Sequence, residues 1–228
     1  LVIDEADRLL SEESLPAIRE LLHVLPRDRQ LAFVSATEQA ESLQAIASIS
    51  PDLIRLKTAE APMNPNIEHY YLVCEERDKP DVLRSLLYAM KPERAIVFVH
   101  RTETAEIVSA KLIYHHIAVA QLHGAFGKEE RKRAMEDFRS GRAPVLIASD
   151  VAARGLDIPG VTHIFNLDVP TLSKAYLHRV GRTARAGASG VAVTVLTEAE
   201  SHLPQRYERE LGIAVQRIRL REGCVLKA

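Results

Sequence analysis

The first seven residues of the 228-residue chain, Leu1-Val2-Ile3-Asp4-Glu5-Ala6-Asp7, are an apolar run followed directly by carboxylates. The apolar run predicts a buried strand over residues 1–4. In a parallel sheet, ligands bind at the carboxyl ends of the strands, where acids can hold Mg²⁺ and orient a water molecule. Asp4 and Glu5 are therefore predicted to lie at a nucleotide site. The alternative is an ordinary solvated helix start, where acids suit the helix dipole.

Short apolar strands alternate with helices along the rest of the chain, which predicts an α/β fold with a parallel sheet covered on both faces. In the first part we expect strands at 1–4, 31–34 and 53–56, and helices at 12–24 and 38–48. In the second part we expect strands at 67–73, 95–99, 117–121, 145–148, 162–167 and 190–196, and helices at 78–90, 103–116, 127–140, 172–180 and 198–210.

The segment between these two parts carries Pro62 and Pro65 and shows no apolar periodicity, which predicts a linker. We therefore expect residues 1–57 to be the end of a larger sheet, residues 58–66 to be the linker, and residues 67–228 to be a complete domain.

The net charge of −1 is unevenly distributed, because residues 1–57 sum to −4 and residues 67–228 to +4. An acidic segment followed by a basic one fits a metal–nucleotide site beside a polyanion-binding domain, although chance variation in surface charge is the alternative. Cys74 and Cys224 have neither metal-ligand spacing nor a disulfide framework, which favours a cytoplasmic location. No apolar run approaches the ~18 residues of a membrane span, so we expect no membrane partner.

Basic residues follow several of the predicted strands. Arg101 precedes a helix and can bind phosphate together with the backbone amides there. Gly124 would let the backbone approach a phosphate closely. Lys128 and Arg131 lie one helical turn apart and can contact the same nucleic-acid strand. The alternative is a solvated helix face paired with Glu129, Glu130 and Glu136.

Two later segments are too polar to be explained by packing alone. Residues 148–159 place Ser149, Gly155 and Asp157 after a strand, where Asp157 could bond a ribose hydroxyl. Arg182 and Arg185, three residues apart, can point to one side and meet charge that develops on a γ-phosphate.

Hydroxyl residues also follow the second predicted strand. Ser35 and Thr37 could bond Asp7 or residues across a cleft. The alternative is an ordinary helix N-cap.

Together these segments resemble the DEAD-box RNA helicases of superfamily 2, in order and spacing over essentially the whole chain. The resemblance is carried by D-E-A-D at 4–7, S-A-T at 35–37, V-F-V-H-R at 97–101, H-G at 123–124, A-S-D-V-A-A-R-G-L-D at 148–157 and H-R-V-G-R-T-A-R at 178–185. It implies two RecA-like, P-loop NTPase-like domains that close on ATP and single-stranded RNA and locally unwind an RNA duplex, with protein partners as well.

The resemblance also implies a role for each matching residue. Asp4 and Glu5 would act on Mg²⁺–ATP and its hydrolysis, Gly155 and Asp157 would bind the nucleotide, and Arg182 and Arg185 would be arginine fingers. Coupling between domains would fall to Asp7, Ser35, Thr37 and His178. RNA-backbone contacts would come from Arg101, Gly124, Lys128, Arg131 and Ser149.

The sequence departs from the family pattern at several positions. Lys128 stands where the family usually has Gln, and Ala184 stands where it has Gly, which is costly if that residue needs a positive φ. The turn at 100–102 orders its basic and hydroxyl residues differently. No G-x-x-x-x-G-K-[ST] phosphate loop is present, so we expect the first RecA-like domain to be truncated and the chain alone to be inactive.

Two other functions remain open. A DNA helicase is disfavoured by the combination of D-E-A-D with His178. An RNA-binding and partner-docking module without its own ATPase turnover is the alternative from a different class.

Overall fold

The computed structural model describes residues 1–35, 40–56, 63–124, 126–153 and 158–228. The chain divides into two compact units, Leu1–Glu60 and Ala61–Ala228.

In its described residues, the first unit contains a two-stranded parallel sheet and three helices. Strand β1 (Val2–Ile3) pairs with β2 (Ala32–Phe33), and the helices are α1 (Ala6–Leu9), α2 (Leu15–Val24) and α3 (Ala40–Ile49). Its core is a small cluster of Ile3, Ala6, Leu10, Ala45 and Ile46. Little apolar area therefore stabilises this unit.

The predicted strand at 53–56 is wrong. Residues 53–56 have no regular structure, and Ile54 and Leu56 are 84% and 89% exposed. A strand needs a hydrogen-bonded neighbour, and the only strands in the described part of this unit are β1 and β2, which pair with each other. The apolar composition of the segment was a misleading signal.

The second unit is built on an eight-stranded sheet with the order β10-β9-β3-β8-β7-β4-β6-β5. All pairs are parallel except β9 with β10. The strands are β3 (Ile67–Val73), β4 (Ala95–Phe98), β5 (Val119–Leu122), β6 (Val145–Ala148), β7 (His163–Asn166), β8 (Gly190–Leu196), β9 (Val215–Arg221) and β10 (Cys224–Lys227). The helices are α4 (Lys79–Met90), α5 (Thr102–Tyr114), α6 (Lys128–Ser140), α7 (Asp150–Ala153), α8 (Ser173–Val180) and α9 (Leu203–Leu211).

Apolar cores cover both faces of this sheet. One cluster includes Phe98, Leu122 and Phe138, and the other includes Leu83, Val97 and Phe165. Central strands buried on both faces need apolar side chains at every position, which explains the continuous apolar runs in the sequence. The predicted parallel α/β fold is confirmed.

The terminal hairpin β9–β10 was not predicted. Glu222 and Gly223 form its two-residue turn, both with positive φ (52° and 76°), and Cys224 pairs with Arg221. Two positive φ values in a two-residue loop match the twist of antiparallel strands. The available signal was the alternation of arginine and apolar residues before a Glu-Gly pair.

Candidate functional site

Three predicted phosphate-binding residues lie just beyond the carboxyl ends of neighbouring strands, a part of the sheet that we call the carboxyl edge. Phe98, Leu122 and Ala148 are the last residues of β4, β5 and β6, and they are in register across these neighbouring strands. Arg101, Gly124 and Ser149 follow them by one to three residues. The tertiary structure therefore brings together, at the carboxyl ends of adjacent strands, residues that are far apart in sequence.

Two helices begin at this carboxyl edge. Arg101 is the extended residue before α5 (φ −104°, ψ 144°), and Gly127 precedes α6 and donates its backbone N–H to Glu130 Oε2 at 2.8 Å. Lys128 and Arg131 are exposed in the first turns of α6. The amides of the first helical turn and the positive end of the helix dipole favour anions at such positions. The edge therefore combines amides with cationic side chains.

Packing within the described residues does not explain the glycine at 124. A Cβ placed there would meet no atom within 4 Å. Ser149, by contrast, has a contact inside the chain, since its Oγ accepts a hydrogen bond from the Ala152 amide at 3.4 Å and so caps α7.

A buried arginine that the sequence analysis missed holds this edge together. Arg179 of α8 is 1% exposed, and it binds both carboxylate oxygens of Asp150 at 2.6 and 2.7 Å. Its guanidinium also donates to the Asp168 carbonyl at 2.6 Å and to Asn166 Oδ1 at 3.2 Å. Bidentate guanidinium–carboxylate pairs are strong and directional.

The same guanidinium reaches β4. It lies 5.0 Å from the centre of the Phe98 ring and 3.5 Å from His100 Nδ1. The backbone of His100 is held in place because its amide donates a hydrogen bond to Asp168 Oδ2 at 2.6 Å. Arg179 therefore ties α7 and α8 to the ends of β4 and β7. The detectable signal was an arginine inside an otherwise apolar helix face.

The predicted arginine fingers lie in a turn at the amino ends of the strands, at the other end of the sheet from the carboxyl edge. After α8, Thr183 Oγ1 donates to the Val161 carbonyl at 2.6 Å, and Asn64 Nδ2 donates to the Ala184 carbonyl at 2.6 Å. A Cβ on Gly190, the first residue of β8, would lie 2.4 Å from Thr183 Oγ1, so glycine is required there. The turn therefore packs at the amino ends of β7 and β8, away from Arg101, Gly124 and Ser149.

Within this turn, Arg185 is exposed and its Nε donates to the Gly181 carbonyl at 3.1 Å, whereas Arg182 is partly buried. His178, in the last turn of α8, is also partly buried. Ala184 and Ala186 both have a φ of 54°. The left-handed conformation anticipated as a cost at Ala184 is present, and an alanine there carries roughly 1–2 kcal/mol of strain.

In the first unit, the predicted acidic residues follow β1 directly. Asp4 Oδ1 accepts the Glu5 amide at 2.8 Å, and Glu5 has a φ of 49°. Ser35 lies two residues after β2, at the same edge as the acids because β1 and β2 are parallel. Asp7 is 7% exposed, and its carbonyl accepts a hydrogen bond from Ser42. Thr37, Gly155 and Asp157 lie outside the described residues.

The acids fit a magnesium ion carried by a nucleotide. In the described part of the chain, no group of three or more His, Cys, Asp or Glu residues is placed to hold a metal by itself. Mg²⁺ is commonly bound by one or two carboxylates, with water and substrate phosphates filling its other positions. Asp4 and Glu5, adjacent at a strand end, supply that number of carboxylates.

Among the helices of the described ranges, none is long and apolar enough to cross a membrane.

The fold matches RecA-like helicase domains. The helicase conserved C-terminal domain matches residues 78–187. The structure of S. cerevisiae Dbp5 bound to RNA and ADP BeF3 gives a TM-score of 0.84 at 35% identity, covering 95% of this chain and 58% of that one. E. coli SrmB bound to regulator of ribonuclease activity A gives a TM-score of 0.63 at 35% identity, covering 68% of this chain and 92% of that one.

Sequence relatives agree with the structural matches. The DEAD-box ATP-dependent RNA helicase CshC of Bacillus cereus is 33% identical over 100% of this chain and 58% of its own length. CshA of Geobacillus kaustophilus is 36% identical over 96% of this chain and 47% of its own length. The chain belongs to the DEAD-box family of helicases, and it spans about half the length of these curated relatives.

Proposed function

We propose that this chain is part of an ATP-dependent RNA helicase that couples ATP hydrolysis to local unwinding of an RNA duplex. In this proposal residues 1–57 belong to the first RecA-like domain, 58–66 are a linker, and 67–228 form the second RecA-like domain. The observation that carries it is the alignment of Arg101, Gly124 and Ser149 at the carboxyl ends of three neighbouring strands. The names of its relatives support the same activity.

RNA binds along the carboxyl edge in this proposal. Arg101, Lys128 and Arg131 neutralise phosphates, and the amides at the starts of α5 and α6 donate hydrogen bonds to them. Gly124 leaves room for the sugar–phosphate backbone, and the Ser149 hydroxyl supplies a further polar contact. Phosphate contacts position an RNA strand without reading its bases, so binding should depend little on sequence.

ATP with Mg²⁺ is the proposed cofactor. The ion would neutralise phosphate charge, Asp4 would hold it through water, and Glu5 would orient the attacking water. Arg182 and Arg185 supply positive charge to the γ-phosphate, while Gly155 and Asp157 contact the nucleotide, Asp157 through the ribose. Asp7, Ser35, Thr37 and His178 transmit the nucleotide state between domains.

An RNA-binding module without its own turnover is the second candidate for this chain taken alone. It is favoured by the absence of a G-x-x-x-x-G-K-[ST] phosphate loop from the sequence. A cytoplasmic location, inferred from the two unpaired cysteines, belongs to the same proposal.

Fluorescence anisotropy with labelled single-stranded RNA tests the RNA-binding half of the proposal. Binding should weaken with salt, with a log–log slope of about −0.7 per neutralised phosphate on single strands. Arg131→Gln should reduce the magnitude of that slope by up to about one contact. Lys91→Gln, an exposed lysine between α4 and β4 at the amino ends of the strands, is the matched control and should leave the slope unchanged. Equal slopes for the two variants would contradict the proposed path.

Phosphate release measured with and without RNA tests the nucleotide half. The chain alone should show no RNA-stimulated hydrolysis, whereas a full-length helicase carrying this segment should. Turnover by the chain alone that disappears in Glu5→Gln would show that the missing phosphate loop is not required.

A further inference from the structure

Three arginines form a row on one face of the terminal hairpin. Side chains of a strand alternate between faces, so Arg217, Arg219 and Arg221 of β9 share a face, and each is exposed. On the opposite face, Ile218 is 2% exposed and packs in the core. Neighbouring arginines of the row are about 6.8 Å apart along the strand, close to the separation of successive phosphates in one polynucleotide strand.

The charge of this row is largely unneutralised. In the described ranges, no ion pair involves Arg217 or Arg219. Arg221 Nε lies 3.6 Å from Glu222 Oε1, but these side chains are 77% and 86% exposed. Exposed pairs of this kind contribute little.

An aromatic residue lies next to the row. Tyr71 of β3 is directly opposite Arg217 in the parallel register, so the two side chains are on the same face, and Tyr71 is partly exposed. Arginines beside an aromatic ring are the combination used by proteins that hold nucleic-acid strands without sequence preference.

Protection of the sheet edge does not explain these charges. Charged residues that prevent edge-to-edge association are expected on the edge strand itself. Here the edge strand is β10, and its pairing with β9 places Cys224 and Leu226 on the same face as the arginine row. The arginines lie on β9, the second strand of the sheet, where they cannot prevent edge-to-edge association.

We propose that this arginine face, formed by Arg217, Arg219 and Arg221 with Tyr71, binds the phosphate backbone of RNA as a second contact. The proposal rests on the RNA binding proposed above. Strand β9 is four positions from β4 in the sheet order, roughly 19 Å at the usual strand spacing. A strand bound at the carboxyl edge therefore reaches the arginine face only with nucleotides further along, so the second contact requires a longer RNA.

The test compares three double variants of the whole chain in RNA anisotropy titrations at several salt concentrations. Arg217→Gln/Arg219→Gln removes two charges from the arginine face. Lys91→Gln/Arg142→Gln removes two exposed charges that precede β4 and β6, at the amino ends of the strands, and is the matched control. Arg217→Lys/Arg219→Lys keeps the charge, and circular dichroism checks that all three remain folded.

The Gln variant of the arginine face should bind a long single strand several-fold more weakly, with a salt slope smaller by up to about 1.4 because two contacts are lost. The control and the Lys variant should keep the wild-type slope. An arginine-face variant that matches the control overturns the proposal and leaves an acidic protein surface as the alternative occupant.

Arg131→Gln, measured in parallel, separates the two proposals. If Arg131→Gln weakens binding and the arginine-face variant does not, the arginine-face proposal is wrong and the carboxyl-edge proposal stands. If only the arginine-face variant weakens binding, the arginine face binds RNA by itself, and both the carboxyl-edge path and the description of the arginine face as a second contact are wrong. A wild-type chain that binds no RNA overturns both.

Discussion

Arg179 and Asp150 form a partly buried pair whose two members have unequal environments. The Arg179 side chain is 1% exposed, whereas that of Asp150 is 31% exposed. Removing the carboxylate would leave a guanidinium charge in the core, while removing the guanidinium would leave a carboxylate that water can reach. The cost of breaking the pair should therefore depend on which partner is removed.

We predict that Asp150→Ala lowers the free energy of unfolding by about 3–5 kcal/mol and that Arg179→Met costs less. The double variant should be more stable than Asp150→Ala alone, because it also removes the buried Arg179 guanidinium that has lost its carboxylate partner. Urea denaturation of the four proteins measures this coupling. Asp137→Ala breaks an exposed pair with Arg142 and should cost under about 1 kcal/mol. Equal costs for Asp150→Ala and Asp137→Ala would show that the buried pair contributes no more than a surface one.

The turn that carries Arg182 and Arg185 contains two alanines in the left-handed region, and they differ in burial. Ala184 is 2% exposed and Ala186 is exposed. Ala186→Gly should stabilise the chain by about 0.5–1 kcal/mol, since it relieves backbone strain without loss of packing. Ala184→Gly should gain less, because a buried methyl worth about 0.8 kcal/mol is lost. Thermal unfolding compares the two, and a larger gain from Ala184→Gly would contradict this reasoning.

At the scale of elements, β3 and α8 are joined by a hydrogen bond between buried side chains. His69 Nδ1 of β3 lies 2.8 Å from the Tyr176 hydroxyl of α8. Burial lowers the pKa of His69 to about 4, because the charged imidazolium is poorly solvated there. The folded unit therefore holds this histidine neutral.

Below the unfolded-state pKa of about 6.5, the unfolded chain binds a proton that the folded chain does not. The stabilising contribution is complete above pH 6.5 and is lost as the pH falls towards 4, at up to about 1.4 kcal/mol per pH unit. We predict that His69→Gln flattens the pH dependence of stability in this window, measured by urea denaturation. His202→Gln, on the surface, is the control, and a His69→Gln profile identical to it would contradict the prediction.

Two of the differences between the predicted and the observed elements have the same physical origin. Residues 53–56 are apolar but have no partner strand, whereas β9 carries three arginines but pairs with both β3 and β10. Strand formation depends on neighbours that a local window does not contain. Long apolar runs such as β4 and β6 were predicted correctly because burial on both faces restricts their composition.

At the scale of the whole molecule, the two units differ in core size. Among the described residues, the first has one small cluster and a two-stranded sheet, and the second has two large clusters. We predict that the amides of β1 and β2 exchange with solvent faster than those of β4 and β6, because local opening costs less where few apolar contacts break. Hydrogen exchange followed by mass spectrometry measures this, and equal protection of both units would contradict it.

The proposed arginine fingers are tested in a full-length helicase that carries this segment. Arg185→Ala should lower kcat for RNA-stimulated ATP hydrolysis by roughly 10³-fold or more, with little change in KM, because its positive charge stabilises charge that grows in the transition state. Arg209→Ala, an exposed arginine of α9, is the control. A variant with a raised KM and normal kcat would show that Arg185 binds ground-state nucleotide instead.

The sequence by itself determined the parallel α/β class, the buried strands and the family, because each depends on local composition or on motifs at fixed spacing. It also supplied the candidate residues, including Arg101, Gly124 and Ser149. It did not supply the partners of Arg179, whose role depends on Asp150, Asn166 and Asp168 meeting it across strand ends.

Only the tertiary structure decided which candidates lie together. The sheet order places β4, β6 and β5 side by side, so Arg101, Ser149 and Gly124 lie together at the carboxyl ends of the strands. The turn with Arg182 and Arg185 packs at the amino ends. It also set the arginine row of β9 on an open face. The physical reason is that strand order and register arise from long-range pairing and packing, which local sequence patterns restrict but do not specify.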